Sequence, residues 1–432
     1  MKQPHRNTAI DGMSFWSRSS VAGAIWLGFA SALAVAPWLF DSSLALTMLT
    51  QIGYLVVICL SYNILLGQGG MLSFGHVVYV GMGAFATVHV LNRVGDGAFW
   101  WPVSLLPLVG GLAAALVAAV LGFVSVRRGG TTFAMITLGL GELVAAVALM
   151  LPGVFGGEGG IATDRVVGEP VLGISFGPPV ELYYLVALWC LVCTALMFAF
   201  TRTPLGRMLN AVRDNPQRVA FVGYDPQRVR YRALVISAFF AGIGGALMAL
   251  HLEMVTASDS FSHERSAAYL LFTFVGGVGA FVGPIIGAVL MVLTTIGLSQ
   301  FTLAWKLYLG LLFMLMVMFA PSGVVGILRW HGQVVRQRRV GSMAMPYLGL
   351  WLAAAWAVTA TAVLVEMLYH LQLGSITGHE LHFLGLVLDV ASPRDWTLAV
   401  LAALTGLGLL VAAQRRARQR WQRIESGDAH DA

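Results

Sequence analysis

Apolar blocks about 20 residues long, the length a helix needs to cross the hydrocarbon of a bilayer, recur along almost the whole of this 432-residue chain. They run approximately over 21–40, 44–66, 71–91, 102–126, 131–151, 182–200, 233–255, 267–282, 284–300, 304–320, 346–369 and 396–413. Only 11% of the residues are charged, against roughly a quarter in a soluble domain. Too little polar surface remains to face water. No strand-type alternation is sustained, so the expected fold is all-α: a polytopic transmembrane helical bundle in a lipid bilayer, with about 12 spanning or partly re-entrant helices. The pair around Pro284 is interrupted by Gly276, Gly277, Gly279 and Gly283, and either half is spanning or re-entrant. Ala34-Val35-Ala36 has the form of a signal cleavage site, but Pro37 follows and the apolar block continues to Phe40, so residues 21–40 are expected to span.

The formal net charge is +6, but the basic residues are scattered between apolar blocks and form no stripe, which argues for topology signals and against a nucleic-acid partner. Arg202, Arg207, Arg213, Arg218, Arg228, Arg230 and Arg232 share one loop with only Asp214 and Asp225. Positive side chains resist export, so this loop is expected on the cytoplasmic side. Arg127 and Arg128, then Arg329, Arg336, Arg338 and Arg339, then the run from Arg415 to Arg423 fall on the same side, which puts both termini in the cytoplasm. Acidic residues gather in the opposite loops, at Glu158, Asp164, Glu169 and Glu181 and at Glu253, Asp259 and Glu264. Cys59, Cys190 and Cys193 lie inside apolar blocks; an odd number so placed gives no disulfide framework or zinc site, and the CxxC reads as helix packing.

The chain has two lysines, Lys2 and Lys306, and neither follows a glycine as a phosphate-binding GxxxxGK[ST] loop requires. Any ATP must be bound by another polypeptide. Gly81, Gly83 and Ala86 spell a dinucleotide-like GxGxxA, but inside a spanning block they read as close-packing residues.

Within the arginine-rich loop, Leu205, Met208, Leu209 and Val212 recur at helical spacing while Arg207, Asn210, Arg213 and Asp214 take the other face. Asn215 is placed to cap a second short helix that begins at Pro216 and stops at Gly223. On periodicity alone two readings stand: a pair of amphipathic helices that docks into a partner's groove, or a basic loop that only fixes topology. Further upstream, Gly67, Gly69 and Gly70 interrupt the helix over Asn63 to Ala84 and bring Asn63, Ser73 and His76 into the membrane, the composition of a broken helix beside a substrate path. A helix-helix hydrogen bond is the alternative role for His76. Glu142, Lys306 and Glu366 are the other charges inside apolar blocks, each a functional candidate unless it reaches an interface.

The stretches LLGQGGMLSFGHVVYVGMGAFA, TLGLGELVAAVALMLPGVFGGEGGI, TPLGRMLNAVRDNPQRVAFVGYDPQRVRYRALVISAFFAGIGGAL and VGGVGAFVGPIIGA, in this order across residues 44–328, resemble the LivM-type permeases of branched-chain amino-acid ABC importers. That resemblance implies a permease with no catalytic residue and no cofactor, working with a LivH-like second permease, two cytoplasmic ATPase subunits that bind the ATP, and a periplasmic solute-binding protein. It also implies coupling to the ATPases through Gly206, Arg207, Ala211, Arg213, Asp214, Asn215 and Gly223. A translocation path near Asn63, Ser73, His76 and Glu142 is the expectation from the broken helix and the membrane charge themselves. Three regions follow: a first helix within 1–43, the permease core 44–328 with its coupling loop 202–232, and an extension 329–432 with two further crossings. Val219 stands where the family usually has Ala. In the extension His379, Glu380 and His382 are read as a polar solvated loop rather than a metal site. The glycine-rich turn Gly156–Gly160 around Glu158 is closer to the amino-acid members than to the asparagine-bearing urea members, with urea or short amides as the alternative substrates of the same family shape. An ion-coupled secondary transporter is the rival from another class, but the membrane charges form no evident relay; a membrane enzyme lacks a nucleophile and base cluster.

Overall fold

The computed structural model describes residues 15–98, 100–127, 129–167, 175–302, 304–320, 322–336, 340–373, 380–383 and 386–425. Of the residues named above, Lys2, Arg128, Glu169, Arg338, Arg339 and His379 lie outside them. The helices are α1 (Phe15–Leu39), α2 (Ser43–Asn63, prolonged by a π turn Ile64–Gln68), α3 (His76–Gly95), α4 (Leu106–Ser125), α5 (Thr131–Met150), α6 (Pro152–Phe155), α7 (Pro179–Arg202), α8 (Pro204–Asp214), α9 (Pro216–Phe221) and α10 (Pro226–Leu252). After them come α11 (Ala257–Ser260), α12 (His263–Gly276), α13 (Gly283–Phe301), α14 (Trp305–Phe319), α15 (Gly323–Arg336), α16 (Val340–Leu373) and α17 (Pro393–Glu425). Four short strands, β1 (Ile161–Ala162), β2 (Met254–Val255), β3 (Glu380–Phe383) and β4 (Leu386–Asp389), form two antiparallel pairs, β1 with β2 and β3 with β4.

Among the described residues, nine helices are long and apolar enough to cross a membrane, or ten if the α14–α15 pair, bent by 51°, is one span. The chain is therefore an all-helical, multi-pass membrane protein. The sequence reading counted about twelve crossings, and the differences have local causes. Block 267–282 becomes the 14-residue α12, which stops where Gly277 takes φ +117. Block 304–320 is the first limb of the bent pair, and α1 contributes a shorter apolar stretch, Gly23–Leu39.

The chain forms two compact units. In the first, Met1–Leu293 with Pro321–Val325, the core is α10, four-fifths of whose most apolar stretch is buried. It packs between α3 and α4 with almost no side chain at the seam: a Cβ on Gly83 would lie 2.4 Å from the carbonyl oxygen of Gly242, and one on Gly242 would lie 2.4 Å from that of Gly110. Lipid offers no hydrophobic drive between helices, so close backbone approach through small residues supplies the cohesion. Gly83 of the GxGxxA thus packs helices, as its place in a spanning block suggested. The three cysteines are buried and free.

In the second unit, Thr294–Ala320 with Gly326–Ala432, α16 and α17 form a hairpin. A Cβ on Gly406 would touch the backbone of Ala357 at 2.8 Å, and the Trp356 indole donates to the Ala402 carbonyl at 3.2 Å. Glu366, a candidate functional charge, accepts from Thr302 Oγ1 and from Tyr308 Oη, the latter at 3.0 Å.

Candidate functional site

Two features of the first unit meet: the arginine-rich loop and the break after α2. Thr203 Oγ1 accepts the Gly206 amide at 3.2 Å and Pro204 opens the first turn, so α8 starts where sequence rules place it. Gly206 is required there, because a Cβ would lie 2.3 Å from the Phe200 carbonyl oxygen. Asn215 caps α9 by accepting the Arg218 amide at 3.0 Å, and Gly223 takes φ +90 where the chain turns into α10. Leu209 and Val212 are buried against α7, α10 and the π turn. Between α8 and α9 lies a groove of about 330 Å³ lined by Met208, Ala211, Asp214, Asn215, Arg218, Val219 and Val222. Phe221, next in the chain to Val222 of that lining, is 90% exposed.

The polar face of α8 divides where the sequence reading made it continuous. Arg207, Arg213 and Asp214 are exposed and Asn210 is half-buried, but Asn210 and the tip of Arg213 reach the break after α2. Asn210 Nδ2 donates to Gln68 Oε1 at 2.8 Å, and Arg213 Nη1 donates to the Gly67 carbonyl at 2.5 Å. Their partners are backbone and amide groups of a distant segment, which helical periodicity cannot reveal.

The break is built from glycine. Gly70 adopts φ +61, with the Met71 and Gly70 amides folded back onto the Leu65 and Leu66 carbonyls; this is a left-handed helix cap. The chain then runs without regular structure over 71–73 and turns at 74–75 into α3. Tyr62 Oη donates to the Ser73 carbonyl at 2.7 Å, the Phe74 amide to Thr137 Oγ1 at 3.2 Å, and Ser266 Oγ to the Phe74 carbonyl. His76 Nε2 meets Ser61 Oγ at 3.0 Å, the helix-helix bond that was its alternative role, with Tyr62 and Tyr79 edge-on to its ring. Asn63, Ser73 and His76 are buried inside the chain. Asn63 Oδ1, Ser73 Oγ and His76 Nδ1 have no hydrogen-bond partner among the described residues.

Glu142 behaves differently. It lies in the middle of α5, yet its side chain is 63% exposed, and its Oε1 pairs with His263 Nε2 at the start of α12. Sequence reasoning missed His263 because it falls between apolar blocks. Its only signal is the position of Ser262, which caps α12 by accepting the Arg265 amide at 3.2 Å.

Membrane-length helices closed by small-residue seams, a broken helix carrying polar groups, and an amphipathic pair on a basic loop make up a multi-pass membrane protein, and its similarity to known proteins makes it a transport permease and not an enzyme. Residues 44–320 match the family model described as the permease component of the branched-chain amino acid transport system, and the chain belongs to that family. It is 31% identical over 345 residues to the high-affinity branched-chain amino acid transport system permease protein LivM of Escherichia coli (strain K12), covering 74% of this chain and 78% of the relative. It is 24% identical over 321 residues to the probable branched-chain amino acid transport permease protein LivM of Methanocaldococcus jannaschii, covering 64% and 92%. A galactose/methyl galactoside import permease protein, MglC of Haemophilus influenzae, is 24% identical over 274 residues, covering 58% and 77%. No solved structure matches.

Proposed function

We propose that this chain is one permease of an importer that carries branched-chain amino acids inward across a bacterial inner membrane, beside a LivH-like second permease. A periplasmic binding protein delivers the substrate, and two cytoplasmic ATPase subunits, not this chain, hydrolyse ATP. The observation that carries this reading is the α8–α9 surface: an apolar groove with an exposed phenylalanine on a loop too basic to be exported. A groove of that kind in the cytoplasm suits a protein partner.

The orientation follows from the same loop, with both termini cytoplasmic. It requires the chain to cross between Met254 and Gly276, and the irregular segment before α12 plus α12 itself supplies a broken crossing of that kind. In this reading the Glu142–His263 pair faces the path or the second permease, because a carboxylate in mid-membrane is costly against lipid. Asn63, Ser73 and His76 lie behind the path in this conformation, with unpaired polar atoms that another conformation can use.

Co-expression with candidate partner subunits tests the proposal: the complex should retain ATPase through the α8–α9 surface and take up leucine competitively with isoleucine and valine. Retention without the groove, in a Val219→Asp and Val222→Asp double variant, would remove the docking assignment. Competition by urea or galactose instead of leucine would replace the substrate.

A further inference from the structure

The helix that ends at the π turn leaves its last carbonyls to be satisfied from elsewhere, as every helix does. The glycine cap answers two of them, those of Leu65 and Leu66. The next, on Gly67, is taken by the Arg213 guanidinium of α8, 146 positions away in the chain. A cation at that position also meets the negative end of the helix dipole. Asp214 Oδ1 accepts from Arg213 Nε at 3.1 Å and so orients the guanidinium. The arginine stem lies on Gly70, where a Cβ would meet its Cγ at 2.7 Å, and Leu209 lies over Gly69. Asn210 bonded to Gln68 completes a grip on four consecutive residues, Gln68 and its glycine neighbours.

The gripped turn is also a junction. A Cβ on Gly67 would fall 2.7 Å from the Val278 carbonyl oxygen, so the turn between α12 and α13 presses on the same residue. Directly beyond it lies the segment whose Ser73 and His76 carry unpaired atoms. We infer that Arg213 and Asn210 are positioning residues that tie the coupling helix to the broken helix, so that a displacement of α8 by the ATPases is delivered to the Gly67–Gly70 turn. This rests on the docking reading of α8–α9, and it assigns the two faces of α8 separate tasks: the groove face receives the partner, and the Asn210–Arg213 face transmits.

The test uses the assembled complex in proteoliposomes, with ATPase co-purification, ATP hydrolysis and leucine uptake measured on each variant. Arg213→Ala should retain the ATPase and its hydrolysis within about twofold while uptake falls about tenfold or more, the size of an ordinary coupling between sites. Should Arg213→Ala insert poorly, Gln68→Leu tests the same grip, and Gln68→Glu, which keeps an acceptor for Asn210, should restore uptake. Loss of ATPase retention in step with uptake would overturn the inference by making Arg213 part of the docking surface, and unchanged uptake in both Arg213→Ala and Gln68→Leu would overturn it outright. A wild-type chain that retains no ATPase would instead sink the docking reading beneath it.

Discussion

Gly245 offers the sharpest test of the packing. It lies on the α10 face against α3, where an added Cβ would fall 1.9 Å from the Val80 carbonyl oxygen, a separation that must open to at least 3.0 Å. The obstacle is helix backbone, so no side chain can swing aside, and α3 and α10 must part by about an ångström along a seam that Gly83 and Gly242 also close. Overpacking of this kind costs about 1–3 kcal/mol, with the rigid obstacle favouring the upper end. Replacing glycine by alanine in a helix returns up to about 1 kcal/mol, leaving a net loss of about 1–2 kcal/mol, or about 1–2 °C in apparent Tm for a chain of this length. Thermal unfolding of Gly245→Ala in detergent should show this drop. Gly139→Ala, at an α5 position with nothing within 4 Å, should show none. Equal melting of the two variants would refute the claim that α3 and α10 are held by backbone contact.

Ser61→Ala should destabilise by about 1–3 kcal/mol by leaving His76 Nε2 buried without its partner; a denaturation midpoint equal to wild type would show that the bond contributes nothing. Glu142→Gln keeps the shape and removes the charge, and should lower uptake about tenfold with subunit assembly intact, whereas normal uptake would free the pair from any role on the path. Deletion after Gly341 removes most of α16 and all of α17 but nothing within the family match, which ends at residue 320. Uptake should remain measurable, and its total loss in a stably inserted truncation would make the extension functional.

The bundle was legible because hydropathy at the length of a bilayer is a local property, and nine of the blocks became membrane-length helices. The cap of α9 was equally legible, with Asn215 and Pro216 where helix-start chemistry needs them; Thr203 and Pro204 start α8 by the same chemistry, which the periodicity of the loop did not single out. The α12 region was legible only in part: the apolar block 267–282 was marked, but the helix there is the 14-residue α12, cut short where Gly277 takes a positive φ, and that stop is set by backbone conformation rather than by hydropathy. At the site, the sequence marked the broken helix and the amphipathic loop separately. Their union through Arg213 and Gly67 was invisible, since an arginine bonded to a remote carbonyl leaves no periodicity, and His263 was lost because its partner Glu142 lies 121 positions away. Glu366 illustrates the converse: a membrane charge that drew attention as a candidate is held by Thr302 and Tyr308, as a structural group would be.

The most direct measurement is leucine flux into proteoliposomes that contain this chain with its second permease, ATPases and binding protein. Flux should require ATP on the ATPase side, stop when the ATPases are omitted, and continue when a protonophore collapses the proton gradient. Flux through this chain alone, without ATP and abolished by the protonophore, would contradict a gate driven by nucleotide bound elsewhere.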